Sequence, residues 1–450
     1  MKTYAILLAS GTGERTKSSL PKQFLKISGK TVLEHSIECF ESCELVDEII
    51  IVVSKQFIQF AEEICESNGY RKITKILTGG KTRQESSSIG VGSLEDGEAK
   101  ILIHDAVRPL LGERIIRDCI SALDKYDAVD VAIATADTIV KVDESMNIEE
   151  IPRRQSLMRG QTPQAFKLSV IRRAHELAKE HVDLHITDDC GLVKAFNLSK
   201  IHIINGDETN VKITYPIDIF IADKLYQIKN LLASDSNLEN LRGKTLIIFG
   251  ASGGIGNSIC QLAEKHGTKV YNFSRANATD VRKRFAIDKA LKFVHGEEGR
   301  IDFVINATGI LRLGELCCRT EEDIREEIET NYFGCINVAL GAHEFLRHSK
   351  GALLFFTSSS YTRGRALYSI YSSTKAAVVN LTQALADEWS RDGIRVNVIN
   401  PARTATSLRF ANFGKEDPET LLAPEFVAEK TLTTLLQSYT GQVVDVKKYL

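Results

Sequence analysis

Two kinds of hydrophobic pattern alternate along the chain. Short aliphatic and β-branched runs without polar alternation are typical of parallel strands buried on both faces. In the first half these runs are Tyr4–Ala9, Glu48–Val53, Lys100–His104, Val131–Thr135 and Ile201–Ile204. In the second half they are Lys244–Phe249, Lys269–Phe273, Phe303–Asn306, Ala352–Thr357, Arg395–Asn400 and Gln442–Val446. Between them lie amphipathic stretches that predict helices, among them Ile115–Tyr126, Val170–Glu180 and Thr374–Arg391. The alternation predicts α/β architecture twice over.

The two series are separated by a short polar segment. Ile217–Asn230 predicts a helix that closes the first series, and a new strand begins at Lys244. Residues 231–241 are polar and have no strong periodicity. We therefore predict domains at 1–230 and 242–450, joined by a linker at 231–241. Each domain is expected to be a doubly wound, Rossmann-like sheet with helices on both faces.

Composition narrows the class of protein. The 450 residues suffice for two or three domains, and the formal net charge of −2 gives no excess of basic charge for nucleic acid or an anionic membrane. No apolar run approaches the roughly 20 residues that span a bilayer. Nine scattered cysteines form no C-x-x-C pair, which is typical of reduced thiols. We expect a cytoplasmic protein that acts on small molecules, with neither nucleic acid nor membrane as a partner.

The first strand runs directly into a glycine loop, Ser10-Gly11-Thr12-Gly13-Glu14-Arg15. Glycines after a buried strand let backbone N–H groups approach phosphates closely. The same pattern also fits a plain strand-to-helix turn. Two cations follow, Arg15 and Lys22, and Pro21 stiffens the segment that carries Lys22. Such a pair suits a triphosphate whose α-phosphorus gains charge during substitution.

Several motifs resemble one family of transferases. Gly11-x-Gly13-x-Arg15, Pro21-Lys22-Gln23 and His104-Asp105-Ala106-Val107-Arg108-Pro109 look like the cytidylyltransferases acting on polyol phosphates, which are the methylerythritol-phosphate and ribitol-phosphate enzymes. Further matches are Gly79-Gly80 with Arg83, Asp137-Thr138, Thr162-Pro163-Gln164, Thr187-Asp188 and Asn210-Val211-Lys212-Ile213-Thr214. The resemblance covers about residues 1–225. It implies in-line attack by an acceptor phosphate on CTP, with pyrophosphate as the leaving group.

The resemblance also implies roles for individual residues. The catalytic cations would be Arg15, Lys22 and Lys212. The nucleotide would be bound by Ala9, Ser10, Gly11, Gly13, Gly80, Arg83, Ser86 and Asp105. Mg²⁺ would be held by Asp105 and Asn210, with Asp207 as a nearby substitute; a lone Asp at this point could instead cap a helix. The acceptor would be bound by Arg108, Thr138, Arg154 and Thr187, the last reaching across a homodimer interface. Arg153-Arg154 could equally be a solvated pair.

The second half opens with another glycine loop. Strand Lys244–Phe249 leads into Gly250-Ala251-Ser252-Gly253-Gly254-Ile255-Gly256, followed by a helical pattern to about His266. This order is typical of a dinucleotide site, in which the helix N-terminus faces the pyrophosphate. Ser274-Arg275 follows the next strand, where an acidic residue would accept bonds from a ribose 2′-OH. A cation there favours a 2′-phosphate and hence NADPH, although Arg275 could also be an ordinary surface residue.

The rest of this half resembles the short-chain dehydrogenase/reductase family. Tyr371-Ser372-Ser373-Thr374-Lys375 is a Y-x-x-x-K motif, whose spacing puts both side chains on one helix face. A neighbouring ammonium is expected to stabilise the phenolate of Tyr371 and bring its pKa nearer neutrality. Ser358 lies thirteen residues before Tyr371, the usual family spacing, with Ser359 as the fallback. Asn331 matches the Asn that orients a proton-relay water.

This second resemblance implies a cofactor site and a lid. The catalytic residues would be Ser358, Tyr371, Lys375 and Asn331. The cofactor would contact Gly250, Ser252, Gly254, Ile255, Gly256, Arg275, Asn306, Gly309, Tyr371 and Lys375. Ser407–Leu422 is either a substrate lid or an ordinary surface loop. Near the expected mouth, Arg363, Arg365 and Arg403 could together bind a substrate phosphate.

Three hypotheses join the halves. In the first, the chain resembles the fused ribulose-5-phosphate reductase/CDP-ribitol pyrophosphorylases, which implies NADPH-dependent reduction of D-ribulose 5-phosphate to D-ribitol 5-phosphate and then CDP-ribitol formation from CTP for surface polysaccharide. In the second, it is a 2-C-methyl-D-erythritol 4-phosphate cytidylyltransferase of isoprenoid synthesis fused to an unrelated reductase. In the third, the second half is a module that binds cofactor or dimerises without catalysis. Ser358, Tyr371 and Lys375 speak against the third.

Overall fold

The protein consists of two compact α/β units. The computed structural model describes residues 1–11, 20–181, 186–232 and 237–447. Its units are Met1–Leu225 and Tyr226–Leu450, so the division falls within a helix at Pro216–Leu232. Of the residues proposed from sequence, Gly13 and Arg15 lie outside the described ranges, as do residues 233–236 of the expected linker.

The first unit alternates strands and helices, as the hydrophobic pattern predicts. Its strands are β1 (Thr3–Ala9), β2 (Lys26–Ile27), β3 (Lys30–Thr31), β4 (Glu48–Val53), β5 (Ile73–Thr78), β6 (Lys100–Asp105), β7 (Ala128–Ala134), β8 (Lys141–Val142), β9 (Ile148–Glu150), β10 (Met158–Lys167) and β11 (Ile201–Asn205). Its helices are α1 (Val32–Glu41), α2 (Ile58–Asn68), α3 (Arg83–Gly92), α4 (Glu113–Ala122), α5 (Leu168–Ala178), α6 (Asp189–Ala195) and α7 (Pro216–Leu232).

The main sheet of this unit is mixed. Its order over the described residues is β11-β7-β10-β6-β1-β4-β5, and β10 is antiparallel to both of its neighbours. The sequence reading missed β10 because Thr162-Pro163 interrupts its pattern, and its register with β7 shifts between Gln161 and Ala165. It also missed β5, an edge strand with exposed and half-buried residues instead of a continuous buried run.

Helices cover both faces of the first sheet. One face packs against α1, α2 and α4, through residues such as Phe40, Ile64 and Ile116. The other packs against α3, α5 and α6, through residues such as Val91, Ile171 and Val193. Apolar burial of this size is the main driving force for folding. It leaves the strand ends, where backbone and polar side chains emerge, as the place for a site.

The second unit has a fully parallel sheet. Its strands are β12 (Thr245–Phe249), β13 (Lys269–Phe273), β14 (Phe303–Asn306), β15 (Ala352–Phe356), β16 (Arg395–Pro401) and β17 (Val443–Val446). Its helices are α8 (Gly254–Lys265), α9 (Arg284–Glu298), α10 (Glu321–Ile328), α11 (Gly334–Ser349), α12 (Ser369–Glu388), α13 (Ser407–Phe413) and α14 (Pro424–Leu435). A π-helical turn at Glu329–Phe333 joins α10 to α11.

The order of the second sheet is β13-β12-β14-β15-β16-β17. Helices α9, α11 and α12 pack on one face, and α8 and α14 on the other. All six strands therefore end at the same edge, which carries the glycine loop after β12 and Ser358 after β15. The doubly wound architecture expected from sequence is confirmed.

Over the described residues, no helix is both long enough and apolar enough to cross a membrane.

Candidate active sites

Hydrogen bonds from one side chain hold the start of the glycine loop in the first unit. The buried side chain of Gln23 donates hydrogen bonds to the carbonyls of Ala9 (2.7 Å) and Gly11 (3.0 Å). Gln23 belongs to a short 3-10 turn, Lys22–Phe24, so the half-buried Lys22 is held beside the loop. The sequence reading named Lys22 but gave Gln23 no structural role.

A second segment approaches the loop from α3. The hydroxyls of Ser10 and Ser86 lie 2.7 Å apart, and Ser86 Oγ also accepts from the amide of Gly80. A Cβ on Gly79 would stand 2.5 Å from the Cβ of Ser10, which explains why glycine is required there. Ser86 is fully buried, and its hydroxyl joins the backbone segment at Ser10 to the segment at Gly80.

Asp105 is the electrostatic centre of the first unit. It ends β6 with a nearly buried carboxylate that accepts from Arg83 Nε at 3.1 Å and from Lys212 Nζ at 2.7 Å. These cations hold the pKa of Asp105 well below its usual range, although burial alone would raise it. Asp105 is therefore ionised. Each of its oxygens accepts one of these two bonds and retains a further lone pair.

Arg83 bridges two buried carboxylates. Its Nη1 donates to Asp189 at 2.7 Å, and Asp189 also accepts from the Ser87 hydroxyl at 2.6 Å and lies 3.4 Å from His175 Nε2. The pKa of Asp189 is lowered, and that of Arg83 is raised by the two carboxylates despite its burial. Sequence reasoning singled out Thr187-Asp188 and missed Asp189. The available signal was the N-cap pattern, since Asp188 caps α6 and leaves Asp189 on its buried face.

His104 and Thr162 orient the backbone of Asp105. The Thr162 hydroxyl accepts from the Asp105 amide at 3.1 Å and therefore donates to His104 Nδ1 at 3.0 Å. His104 Nε2 then carries the proton and donates to the Arg108 carbonyl at 3.1 Å. Burial lowers the pKa of His104 to about 4, because a buried imidazolium would lose its hydration. The ring is neutral at physiological pH.

Asn210 and Arg108 lie at the same site, next to Thr162. Asn210 is fully buried and donates from Nδ2 to the Thr162 backbone carbonyl, while the backbone carbonyl of Asn210 accepts from Arg108 Nη1 at 2.8 Å. Within the described part of the chain, three buried atoms here have no hydrogen-bond partner: Asn210 Oδ1, Arg108 Nε and Arg83 Nη2. Buried polar atoms are rarely left unsatisfied, so these atoms indicate a place for a ligand.

Two of the expected acceptor residues meet. Arg154 Nη2 donates to Thr138 Oγ1 at 3.1 Å, beyond the carboxyl end of β7, at the sheet edge that carries Asp105. Both residues are exposed. Thr187 is exposed as well, and over the described residues its side chain is not joined to this pair.

The second unit carries a tight glycine cradle. Gly250 has φ of +93°, and a Cβ there would lie 2.7 Å from the amide nitrogen of Thr308. A Cβ on Gly256 would collide with the carbonyl oxygen of Gly250. The loop, with Ser252, Gly254 and Ile255, lines a cavity of about 640 Å³. Only glycine permits this close approach at the start of a helix.

Asn306 and Asn331 stand behind the cavity wall. Asn306 Oδ1 accepts from the amide and hydroxyl of Thr308. Asn331, fully buried in the π-helical turn, bonds both the amide (2.8 Å) and the carbonyl (2.9 Å) of Ile310. A Cβ on Gly309 would lie 3.5 Å from Lys375 Nζ and 3.6 Å from Asn331 Oδ1. The two asparagines thus fix the backbone of 308–310 beside Lys375.

Ser358, Tyr371 and Lys375 share the cavity wall. Ser358 is a polar neighbour of Tyr371 that acts to lower the pKa of its phenol, and Lys375 Nζ lies 5.6 Å from the Tyr371 ring. Lys375 Nζ donates to the Phe356 carbonyl at 2.9 Å, and burial lowers its pKa. The expected depression of the Tyr371 pKa is absent: burial raises it to about 12. Desolvation outweighs the influence of Ser358 and Arg409, which would lower the pKa, so the phenol stays protonated.

A buried ion pair lies beneath this wall. Glu327 is fully buried in α10, accepts from Arg319 Nη1 at 2.5 Å and accepts weakly from the Arg312 amide at 3.4 Å. Its charge adds to the rise in the pKa of Tyr371 and partly offsets the fall in the pKa of Lys375. Sequence reasoning missed it, although a glutamate four residues before Asn331 at helical spacing was a visible signal.

Arg275 lines the same cavity, just after β13. Its guanidinium is mostly exposed, with Nη1 3.7 Å from Glu326 Oε1. The glycine cradle, the amide-rich loop after β14 and this cation fit a dinucleotide, with room for it in the cavity.

Two sequence families match the two halves. The 2-C-methyl-D-erythritol 4-phosphate cytidylyltransferase family matches residues 3–227, and the short chain dehydrogenase family matches residues 274–417. The second match implies use of NAD(P)(H).

One relative matches nearly the whole chain. The bifunctional ribulose 5-phosphate reductase/CDP-ribitol pyrophosphorylase Bcs1 of Haemophilus influenzae is 42% identical over 455 residues, 99% of this chain and 96% of that protein. The 2-C-methyl-D-erythritol 4-phosphate cytidylyltransferase of Thermobifida fusca is 37% identical over 49% of this chain and 92% of that protein. The solved structure of the corresponding synthase from Anaerococcus prevotii is 30% identical, with a TM-score of 0.46, over 50% of this chain and 96% of that one.

The neutral state of His104 is directly testable. With histidines labelled by ¹³C, the His104 imidazole resonance, identified by its loss in His104→Asn, should not move between about pH 8 and about pH 5.5, because its pKa is about 4. An imidazole in water titrates near pH 6.5. A midpoint near that value for His104 would show that the ring is solvated and does not orient Asp105 as described.

Proposed function

The chain belongs to the family of bifunctional ribulose 5-phosphate reductase/CDP-ribitol pyrophosphorylases, and from that premise we propose its two reactions. The second unit reduces D-ribulose 5-phosphate at C2 with NADPH, giving D-ribitol 5-phosphate. The first unit transfers CMP from CTP to this product, giving CDP-ribitol and pyrophosphate. The observation that carries the proposal is similarity along 99% of the chain to a relative with both activities in its name. The enzyme acts in the cytoplasm and supplies surface polysaccharide synthesis.

In the transferase, a phosphate oxygen of ribitol 5-phosphate attacks the α-phosphorus of CTP. The new O–P bond forms as the bond to the β-phosphate oxygen breaks, so no covalent enzyme intermediate is needed. Lys22, Lys212 and Arg15 neutralise the charge that grows on the α-phosphate. Arg83 Nη2, a buried donor without a partner among the described residues, supports this assignment because it can bond the triphosphate. Positioning and electrostatics carry the step.

A divalent cation fits this site. Asp105 is ionised with lone pairs to spare, and Asn210 Oδ1 is a buried oxygen without a partner in the described part of the chain. Hard oxygen ligands of this kind suit Mg²⁺, which takes one or two protein ligands together with substrate phosphates. Bound there, Mg²⁺ would neutralise phosphate charge. Thr138 and Arg154 are our candidates for the acceptor phosphate because they are already paired.

In the reductase, Tyr371 donates a proton to the carbonyl oxygen at C2. A pKa of about 12 keeps the phenol protonated, which is the state that reduction consumes. The Ser358 hydroxyl orients the carbonyl, and because Ser358 and Tyr371 share the cavity wall, both can reach the same oxygen. NADPH supplies the hydride when bound. Lys375 and Asn331 hold the cavity wall at Gly309, which would face the bound cofactor.

The two alternatives fit less well. An isoprenoid-pathway transferase is not favoured, because the chain also carries a short-chain dehydrogenase unit and its relative is bifunctional. A non-catalytic second unit would have no need of Ser358, Tyr371 and Lys375 on one cavity wall.

A homodimer is also proposed, built through the arm that contains β8 and β9. This arm exposes a dense set of apolar side chains: Ile139, Val140, Val142, Met146, Ile148 and Ile151. Clusters of this kind on a surface mark interaction sites. In the dimer, the exposed Thr187 would complete the acceptor site of the partner.

The two activities should be separable by single substitutions. Tyr371→Phe removes the proton donor and should lower NADPH oxidation with ribulose 5-phosphate by about 10²–10⁴-fold, with pyrophosphate release from CTP and ribitol 5-phosphate retained. Asp105→Asn should do the reverse, lowering pyrophosphate release by about 10²-fold or more. Each retained half-reaction shows that the other unit is folded, and an unchanged circular-dichroism spectrum and melting temperature should show the same for the substituted unit. Loss of both activities in both variants would refute the assignment to separate sites.

Arg275 should set the choice of cofactor. In Arg275→Ala, kcat/KM for NADPH should fall by about 10–100-fold, as expected for a lost charge-assisted bond to the 2′-phosphate, while NADH loses little. Steady-state kinetics with both cofactors provide the measurement, and NADH serves as the internal control. Equal losses for both would mean that Arg275 does not contact the 2′-phosphate.

The arm can be tested by sedimentation. Wild-type protein should sediment at twice the chain mass, and Ile148→Glu should shift it towards the monomer because it places a charge in an apolar interface. The matched variant Ile148→Val should remain dimeric. A dimer that persists in Ile148→Glu would place the interface elsewhere.

A further inference from the structure

An arginine pair in the second unit converges on one carboxylate. Arg409 donates to Glu416 through Nε at 2.6 Å and Nη2 at 2.8 Å, and Arg403 Nη1 lies 3.8 Å from the same side chain. Arg409 and Arg403 both line the cavity that contains Tyr371. The two-pronged bond from Arg409 has the geometry with which guanidinium binds carboxylate and phosphate alike.

The surroundings hold this arginine in place. Its guanidinium lies 4.3 Å from the centre of the Phe413 ring, which fixes its plane. Most of the side chains of Arg409 and Glu416 are buried, and the arginine holds the pKa of Glu416 below its usual range. While Glu416 is in place, its ionised carboxylate therefore occupies the guanidinium of Arg409.

The pair is close to the reacting groups. Phe413 packs edge-on against Tyr368 with ring centres 6.2 Å apart, and Tyr368 packs in the same way on Tyr371 at 6.3 Å. The positive charge of Arg409 partly opposes the rise in the pKa of Tyr371, so it lies within electrostatic reach of the phenol.

The segment that carries Glu416 is hydrogen-bonded through its backbone at both ends. The Leu422 amide donates to the Arg403 carbonyl at 2.7 Å, and the Ala405 amide donates to the Leu422 carbonyl at 2.9 Å. Between these bonds, α13 is followed by Gly414 at φ +73°, a conformation that suits a hinge. A loop with fixed ends can move Glu416 without disturbing the sheet.

We propose that Arg409, assisted by Arg403, binds the phosphate of the ketose phosphate, and that Glu416 occupies this subsite until the substrate displaces it. The inference rests on the proposed reductase function and names its specificity determinant. Phosphate carries more charge than carboxylate and offers more acceptor oxygens, so it can compete for the same two-pronged donor. Exchange of Glu416 for phosphate would couple substrate binding to movement of the 406–421 segment.

Arg363 and Arg365 are the alternative candidates for binding the substrate phosphate. They line a neighbouring cavity with Ser359, and Arg365 donates to the Ser359 hydroxyl at 3.2 Å. That cavity does not include Tyr371, and both arginines are exposed. The observations therefore favour Arg409 over Arg363 and Arg365 as the residue that binds the substrate phosphate.

The test compares the affinity of the full-length enzyme for ribulose 5-phosphate with its affinity for ribulose. Calorimetric binding of ribulose 5-phosphate should weaken about 10–100-fold in Arg409→Gln and recover in part in Arg409→Lys. In Glu416→Gln it should tighten, because the internal competitor has lost its charge. Inorganic phosphate should inhibit NADPH oxidation in wild type, more strongly in Glu416→Gln and weakly in Arg409→Gln.

Turnover supplies the controls. In Arg409→Gln, kcat/KM should fall far more for ribulose 5-phosphate than for ribulose, which lacks the phosphate. Arg391 lies in the turn Ser390–Asp392 that follows α12, whose end is about 25 Å along the helix from Tyr371, so Arg391→Gln should change neither. Equal losses for both sugars, or selective loss in Arg365→Gln instead, would overturn the proposal. Wild-type enzyme that oxidises no NADPH with ribulose 5-phosphate would contradict the proposed function itself.

Discussion

Both sites depend on one topological constraint, the crevice at the carboxyl end of the first strand in each sheet. In the first unit, β1 has β4 on one side and β6 on the other, and the helices that lead to them, α1 and α3, lie on opposite faces. In the second unit, β12 lies between β13 and β14, reached through α8 and α9 on opposite faces. Crossovers that diverge in this way leave no helix over the strand ends. Ser10 and Gly11 in the first unit, the glycine loop of the second unit, and the polar residues after the neighbouring strands occupy that opening.

The crevice supports a different reaction in each unit because the charged groups around it differ between the units. Around Asp105, fixed ions compensate one another: Arg83 and Lys212 face the carboxylate, and Arg83 also reaches Asp189. Such preorganised charge suits phosphate transfer, in which no proton needs to be stored. Around Tyr371, burial dominates and keeps the phenol protonated, while Lys375 bonds a backbone carbonyl. That arrangement suits a reduction, which consumes a proton at the carbonyl oxygen.

The sequence predicted the strands buried on both faces and the residues that follow them, because continuous apolar runs and glycine loops are local signals. It missed β10, whose pattern is broken by Pro163, and β5, an edge strand with polar residues. It also missed Asp189 and Glu327, because a local pattern can place a carboxylate on a helix face but does not show that the face is buried or which partner the carboxylate meets. The pKa of Tyr371 was mispredicted for the same reason: motif spacing identifies the neighbouring lysine but not the cost of desolvation.

The central claim is that two reactions in one chain share an intermediate. Wild-type protein should be mixed with NADPH, ribulose 5-phosphate, CTP and Mg²⁺, and NADPH oxidation and pyrophosphate release should be followed together. The account predicts that pyrophosphate appears only when both the ketose phosphate and NADPH are present, with CDP-ribitol as the product. It would be contradicted if NADPH stayed unoxidised while methylerythritol phosphate and CTP alone gave pyrophosphate.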